Sequence, residues 1–259
     1  MNLNIFVGLF IASLAIYLGA PDVRNDITVY LQFNAFLLVF LGTFGSTLIS
    51  TSFADFRGLY VLFISLFFRK KRFLSPVDAI KIMVDLSDQI QHISRQSLPD
   101  KVVHLKDAYL SKSMDMVAAG LDKEFVLDAL YTDIDELRNR HSKKISAVRT
   151  MGSFAPMFGM AGTVIGVIQV LKNVTDIENI VAGMALALLT TLYGLIFTSI
   201  LFLPLANKLQ ALSEEEVLSK QIISQGTEMV LDKEIPLKVE KYLTAYLESS
   251  QQDNLFKKK

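Results

Sequence analysis

Two apolar segments of this sequence carry regularly spaced glycines and hydroxyl residues, whose oxygen atoms could coordinate a small cation. The segments 150–171 and 180–207 contain no Asp, Glu, Lys, Arg or His. In both, small residues recur every three or four positions, which places them on one side of a helix. In the first segment they are Gly152, Pro156, Gly159, Thr163 and Gly166. In the second they are Gly183, Ala187, Thr191, Gly194 and Thr198, with Thr190 beside them. Such faces either pack on each other or line a pore.

The same segments contain two prolines and no carboxylate. Pro156 has no N–H, so it leaves the carbonyl of Gly152 without its usual helical partner, and Pro204 lies near the end of the second segment. An ion pathway through lipid normally uses an ionisable group or converging oxygens. If the chain conducts ions past a titrating carboxylate, that group must come from a partner. The competing interpretation is plain helix packing, with threonine hydroxyls bonded within their own helix.

Composition excludes several classes of protein. The chain has 259 residues, 51% of them hydrophobic, a formal net charge of zero and a mean hydropathy of +0.39. This balance argues against a disordered chain and against a basic nucleic-acid binder. There is no cysteine, and the three histidines are far apart, so neither a disulfide framework nor a metal site is expected. We find no catalytic set or phosphate-binding loop, and an enzyme or a bound cofactor is not predicted.

Four stretches without charge predict an all-α integral membrane protein with four transmembrane helices. They cover residues 2–21, 27–54, 150–171 and 180–207, and a helix needs about 17–25 apolar residues to cross a bilayer. We therefore divide the chain into four parts. Residues 1–54 hold transmembrane helices 1 and 2, 55–149 an interfacial helix and a cytoplasmic helical domain, 150–207 transmembrane helices 3 and 4, and 208–259 a cytoplasmic tail.

The distribution of basic residues predicts the orientation of these helices. Only Arg24 and Lys172 lie in the two short connections, whereas all other Lys and Arg residues fall in 57–149 or after residue 204. Because cytoplasmic loops are enriched in basic residues, both termini and the long central segment are expected in the cytoplasm.

Start and stop signals predict several helices in the cytoplasmic parts. Ser75-Pro76 is typical of a helix start, and we expect that helix to end where Leu98-Pro99 breaks it. Further helices are expected at about 100–116, after Asp122 as N-cap, at about 208–230 and after Pro236. We predict no strand.

The segment 150–209 resembles the MotA/PomA family, the A subunits of bacterial flagellar stators, and is most similar to sodium-type PomA. The resemblance rests on G-M-A-G-T at 159–163, L-L-T-T-L-Y-G at 188–194 and the two prolines. It implies a homopentamer around two copies of a MotB/PomB-like B subunit, which would supply the membrane aspartate. It also implies a location in the bacterial inner membrane and contact with the rotor switch complex in motility. The transported ion would be Na⁺, or alternatively H⁺.

The resemblance also implies roles for particular residues. The hydroxyls near the ion would be those of Thr163, Thr190 and Thr191. The residues that couple ion flow to movement would be Pro156, Pro204, Gly159 and Gly162. The position of Thr163 is commonly Ala in proton-driven relatives, and a hydroxyl can replace part of the hydration shell of Na⁺, which favours sodium.

The predicted rotor contact departs from the family pattern. The segment that corresponds to the family's rotor contact contains Arg95, Asp100 and Lys101, but Lys101 stands where an acidic residue is expected. The driven partner could therefore differ, as in related stators of gliding motility or anti-phage defence. The sequence also leaves open a TolQ/ExbB-like energiser, although such proteins have three spans, and a structural scaffold without ion flow.

Overall fold

The computed structural model is helical throughout the part of the chain that it describes. These residues are 3–19, 26–53, 56, 58, 73–92, 95–102, 107–172, 174–249 and 252. The predicted interfacial helix at 53–68 and the basic run at 69–72 lie almost entirely outside them. No strand occurs in the described ranges, and the predicted all-α class is confirmed.

The helices are numbered here in chain order. They are α1 (Leu3–Gly19), α2 (Phe33–Ser50), α3 (Pro76–Gln89), α4 (Leu98–Val102), α5 (Ala108–Ala118), α6 (Lys123–Lys172), α7 (Ile177–Ile196), α8 (Leu203–Leu231) and α9 (Pro236–Thr244). Short 3₁₀ turns cover Ile27–Tyr30 and Arg95–Ser97, and a π-helical segment, Phe197–Phe202, joins α7 to α8.

Two compact units divide the chain. The first comprises residues 1–69 and 142–210, and the second comprises 70–141 and 211–259. The second unit therefore combines the central segment with the C-terminal tail, which sequence analysis had treated as separate parts.

The first unit holds the apolar helices. The segments 27–50, 123–172 and 177–231 each contain a helix long and apolar enough to cross a membrane, whereas α1 is shorter, with its apolar part at Phe6–Gly19. Large apolar side chains such as Phe10, Val164 and Leu188 are more than half exposed. These side chains suit contact with lipid, because large apolar surfaces are unfavourable in water.

The second unit has its own hydrophobic core. Buried residues from six helices meet there, among them Met83, Leu98, Leu110, Leu130, Ile223 and Leu243. Helix α9 packs against α3, so the end of the tail completes this core. The amphipathic periodicity of the central segment was visible in the sequence, but the pairing of α9 with α3 depends on contacts between distant residues.

Two local signals set the boundaries of α3 and α5. Ser75 caps α3, with its hydroxyl accepting a hydrogen bond from the Asp78 N–H at 3.2 Å, and Pro76 follows in the first turn, as predicted. Asp107 caps α5 by accepting the N–H groups of Tyr109 and Leu110, each at 3.0 Å.

The prediction that Leu98-Pro99 breaks the first cytoplasmic helix is wrong. Helix α3 already ends at Gln89, and Leu98 begins the short helix α4. Pro99 lies in the first turn of α4, where a helix has no partner for the backbone N–H and the missing donor costs nothing. The helix expected at 100–116 is divided between α4 and α5, and residues 103–106 lie outside the described part.

Helix α6 is continuous where sequence analysis placed a boundary. It begins directly after Asp122 and runs for 50 residues, through both the last predicted cytoplasmic helix and the third span. In the same way, the fourth span and the helix expected at 208–230 form one helical run through the π segment.

Candidate functional site

The small-residue faces of α6 and α7 pack on each other. At Gly162 a Cβ atom would lie 2.3–2.6 Å from the side chain of Thr190, and at Gly166 it would lie 2.4 Å from the carbonyl oxygen of Gly183. At Gly159 it would lie 2.9 Å from the carbonyl oxygen of Thr190. Only glycine allows backbones to approach this closely, so these residues fix the separation of the two helices.

Thr190 is fully buried in this contact. Its Oγ1 lies 2.9 Å from the carbonyl oxygen of Leu186 and 3.0 Å from that of Ala187, both in its own helix. The single hydroxyl hydrogen is therefore used within α7. Its Oγ1 lies 2.3 Å from the position that a Cβ atom at Gly162 would occupy.

Thr191 is only partly buried and bridges the two helices. Its Oγ1 lies 3.4 Å from the carbonyl oxygen of Gly159 in α6 and 3.4 Å from that of Ala187 in α7. Both distances are long for a hydroxyl donor, for which about 2.7–2.8 Å is usual. The oxygen of Thr191 is thus weakly held and adjacent to a backbone carbonyl.

Thr163 donates its hydroxyl hydrogen to the carbonyl oxygen of Met160 at 2.6 Å. The residue is partly exposed, at the edge of the α6–α7 contact that is formed by Gly159, Gly162 and Gly166. No hydrogen bond within the described residues joins Thr163 to Thr190 or Thr191. Because the hydrogen is committed to Met160, the remaining lone pairs of Oγ1 can only accept or coordinate.

Pro156 lies inside α6 and frees a carbonyl that another helix uses. The carbonyl oxygen of Gly152 accepts a hydrogen bond from Oγ1 of Thr198, in the π segment, at 2.8 Å. The freed carbonyl was predicted, but its partner was not. Thr198 was nevertheless part of the small-residue face, four positions after Gly194, and this spacing was the available signal.

Gly194 brings α7 against the same stretch of α6. A Cβ atom there would lie 2.7 Å from the carbonyl oxygen of Ala155 and 3.1 Å from Cα of Pro156. Pro204 is exposed and lies at the second position of α8, immediately after the π segment. Regular i→i−4 bonding cannot pass through a proline, and π turns commonly accommodate such interruptions.

Comparisons with known proteins show what the chain is similar to. Residues 101–222 match the MotA/TolQ/ExbB proton channel family. Motility protein A of Borreliella burgdorferi is 28% identical over 247 residues, covering 95% of this chain and 94% of that protein. The chain thus resembles the MotA/TolQ/ExbB family. Chemotaxis protein PomA of Vibrio alginolyticus is 29% identical over 247 residues, with 95% and 96% coverage. The flagellar MotAB stator complex of Bacillus subtilis superposes with a TM-score of 0.87 at 23% identity, covering 96% of this chain and 98% of that one.

Similarity to the MotA/TolQ/ExbB family confirms two predictions from the sequence. The resemblance to MotA and PomA proteins is one, and it extends over nearly the whole chain. The other is that the chain is not an enzyme, since the family consists of ion-channel stator subunits. The family match includes the entire α6–α7 contact and both prolines.

The predicted rotor residues lie in the second unit. Asp100 is exposed in α4, while Arg95 belongs to a 3₁₀ turn and Lys101 to α4. The side chains of Arg95 and Lys101 lie outside the described part of the structure. Their role in rotor contact stays a prediction.

Sequence reasoning missed one anchor of the α7 helix. The hydroxyl of Tyr193 donates to the carbonyl oxygen of Tyr30 and accepts the backbone N–H of Gln32 at 2.9 Å. These bonds hold the connection before α2 against α7. Tyr193 stands within the family-like motif L-L-T-T-L-Y-G, and a phenol in an apolar helix, which needs a polar partner, was the available signal.

Proposed function

We propose that the chain is the A subunit of a flagellar motor stator that couples Na⁺ flow to torque, with H⁺ as the alternative ion. The observation that carries this proposal is the α6–α7 contact, in which hydroxyl and carbonyl oxygens gather around glycines without any ionisable side chain. The full-length similarity to motility A proteins supports the flagellar role.

A partner must provide the titrating group of such a pathway. The described parts of α2, of α6 from residue 150 to 171 and of α7 from residue 179 carry no charged side chain. Ions cross hydrocarbon by way of ionisable groups or rings of oxygen. We therefore assign the membrane aspartate to a B subunit, two copies of which would stand inside a ring of five A subunits.

The hydroxyl of Thr163 supports Na⁺ as the ion. Hard cations prefer oxygen ligands, and the lone pairs of Thr163 Oγ1 are free because its hydrogen goes to Met160. Thr191 Oγ1 and the Gly159 carbonyl form a second oxygen pair on the same two helices. A proton needs no such set of ligands. The buried Thr190 would shape the pathway rather than bind the ion.

The prolines and the π segment support a moving part next to this pathway. The Thr198–Gly152 bond replaces a helical bond that Pro156 removes. Since one hydroxyl bond is easier to break than a helical ladder, α6 can bend at this point. We assign Pro156, Pro204 and the glycines Gly159 and Gly162 to coupling, and the cytoplasmic unit to rotor contact.

The experiment is complementation of a host that lacks its own stators. Rotation of tethered cells is measured with this chain alone, with its own B subunit, and with a B subunit whose membrane aspartate is changed to asparagine. We expect rotation only in the second case. Presence of both proteins in the membrane without rotation would contradict the flagellar proposal and favour another driven partner. If the chain is a structural scaffold, no ion-dependent rotation is expected with any of the three combinations of subunits.

A further inference from the structure

An apolar cleft of about 390 Å³ lies between α1 and the region where the π segment passes into α8. Small residues of α1, Gly8 and Ala12, form one wall, and Ser199, Leu201 and Pro204 form part of the other. The cleft takes no part in the α6–α7 contact. Its lining is predominantly apolar, but one end is not.

Asn4 and Lys208 mark the polar end of the cleft. In the predicted orientation α1 leaves the cytoplasm and α8 returns to it, so both residues stand at the cytoplasmic surface. From Asn4 to Ala12, and from Ser199 to Lys208, a helix rises about 12–14 Å. That length is close to half of the hydrocarbon core, which is about 30 Å thick. The cleft therefore matches one leaflet of the membrane.

Lys208 is partly buried, and no carboxylate of the described residues lies within ion-pair distance of its ammonium group. A lysine at the end of a membrane helix places its stem along apolar surface and its charge at the interface. An ammonium group at this depth binds phosphate, and basic pockets between membrane helices on the cytoplasmic side bind anionic head groups.

Gly8 keeps the cleft open. A Cβ atom at this position would meet no other atom within 4 Å, in contrast to the glycines of α6 and α7. Glycine is therefore not required at this position for a close contact with another helix among the described residues. It leaves a slot in the wall of α1 that a flexible hydrocarbon chain fits.

We propose that this cleft binds one anionic phospholipid of the inner leaflet per subunit. An acyl chain lies beside Gly8 and Ala12, and the phosphate lies at Lys208 with Asn4 as a further donor. A second copy of the chain is the alternative occupant of the apolar part, and the phospholipid is favoured because its phosphate compensates the charge of Lys208. The lipid contacts Pro204 and so touches the segment assigned to coupling. The proposal relies on the predicted orientation and is independent of which ion is conducted.

The test is native mass spectrometry of the complex of A and B subunits, purified with either phosphatidylglycerol or phosphatidylcholine. Wild-type protein is expected to retain phosphatidylglycerol in preference, up to one per A subunit. Lys208→Gln is expected to lower that preference several-fold, and Gly8→Leu to displace lipid of both kinds. The matched controls are Lys143→Gln, an exposed lysine outside the cleft, and Gly45→Leu, where a Cβ also meets nothing within 4 Å. Both controls are expected to retain lipid as wild type does.

A photo-crosslinking residue in place of Ala12 distinguishes a bound phospholipid from a second A subunit. This experiment can be made even if Gly8→Leu fails to assemble. A phospholipid adduct on the A subunit supports the proposal. A crosslink to a second A subunit would overturn it, and so would phosphatidylglycerol retention that Lys208→Gln leaves unchanged.

Discussion

Thr198 donates its hydroxyl hydrogen to the backbone carbonyl of Gly152, 2.8 Å away in a neighbouring membrane helix. That carbonyl is available because Pro156, four residues later, has no N–H to offer it. The bond therefore spans α6 and the π segment at the point where each helix departs from regular bonding. Gly194 holds the same two stretches together, since its own backbone lies against Ala155 and Pro156.

Replacing Thr198 by valine should impair torque more than it impairs assembly. Valine keeps the branched shape and removes the hydroxyl, and hydrogen bonds between membrane helices are worth only about 0.6 kcal/mol on average. We expect near-normal amounts of complex in the membrane with clearly slower rotation of tethered cells. Thr198→Ser should restore speed, and Ser153→Ala, which removes an exposed hydroxyl bonded within α6, should have no effect. Equal loss of speed in the Thr198→Ser variant would argue against the hydrogen bond.

Gly162→Ala should separate α6 from α7. The added methyl group would lie 2.3–2.6 Å from the Thr190 side chain, and overpacking of this kind costs about 1–3 kcal/mol. We expect a lower melting temperature of the purified complex. Gly45→Ala on α2, where the methyl group meets open space, is the matched control. If the two variants melt at the same temperature, the close α6–α7 contact is not a determinant of stability.

A buried hydroxyl pair should stabilise the second unit. The Tyr109 hydroxyl lies 2.6 Å from Oγ of Ser224 and 3.0 Å from the carbonyl oxygen of Leu130, and burial raises the pKa of the phenol well above its usual range. Tyr109→Phe should cost about 1–3 kcal/mol because it leaves buried partners unpaired. Ser224→Ala in addition should cost less than the sum of the single changes. Hydrogen exchange of α5 in the intact complex measures both effects, and strict additivity would contradict the coupling.

Glu216 should make the stability of the second unit depend on pH. Burial raises the pKa of its carboxyl, Asp107 adds to the rise, and Lys220 and Arg140 oppose it. Because the folded state favours the neutral acid, stability falls as pH rises through this elevated pKa. Glu216→Gln should therefore raise the melting temperature at pH 7–8, and its advantage should vanish toward pH 4. Glu136→Gln, at an exposed position, should show no such trend. An advantage for Glu216→Gln that is equal at every pH would contradict the assignment.

The apolar helices and their small-residue faces could be predicted because their signals are local. Apolar length, absence of charge and three-to-four spacing are all read within one segment, as for Gly159 and Gly162. The start of α3 followed from Ser75 and Pro76 in the same way. The meaning of Pro99 was misread, since a proline that begins a helix and one that ends a helix look alike in sequence.

The remaining features depend on residues far apart in the chain. The bond from Thr198 to Gly152 and that from Tyr193 to Tyr30 join residues 46 and 163 positions apart. The packing of α9 on α3 likewise follows from the shape of the whole core of the second unit. The sequence did not reveal that α6 continues through residue 150. Charged residues give way to apolar ones at this point, although the helix does not end there.

The most direct measurement is the rotation speed of tethered cells as Na⁺ is raised from near zero at fixed proton-motive force. The cells lack their own stators and carry this chain with its B subunit. We predict that speed rises with Na⁺, that Thr163→Ser keeps this dependence, and that Thr163→Val shifts it to much higher Na⁺ while the complex still assembles. A rotation speed that is independent of Na⁺ in all three proteins would contradict a sodium pathway at Thr163. Absence of rotation at every Na⁺ concentration would contradict the proposed role as a stator.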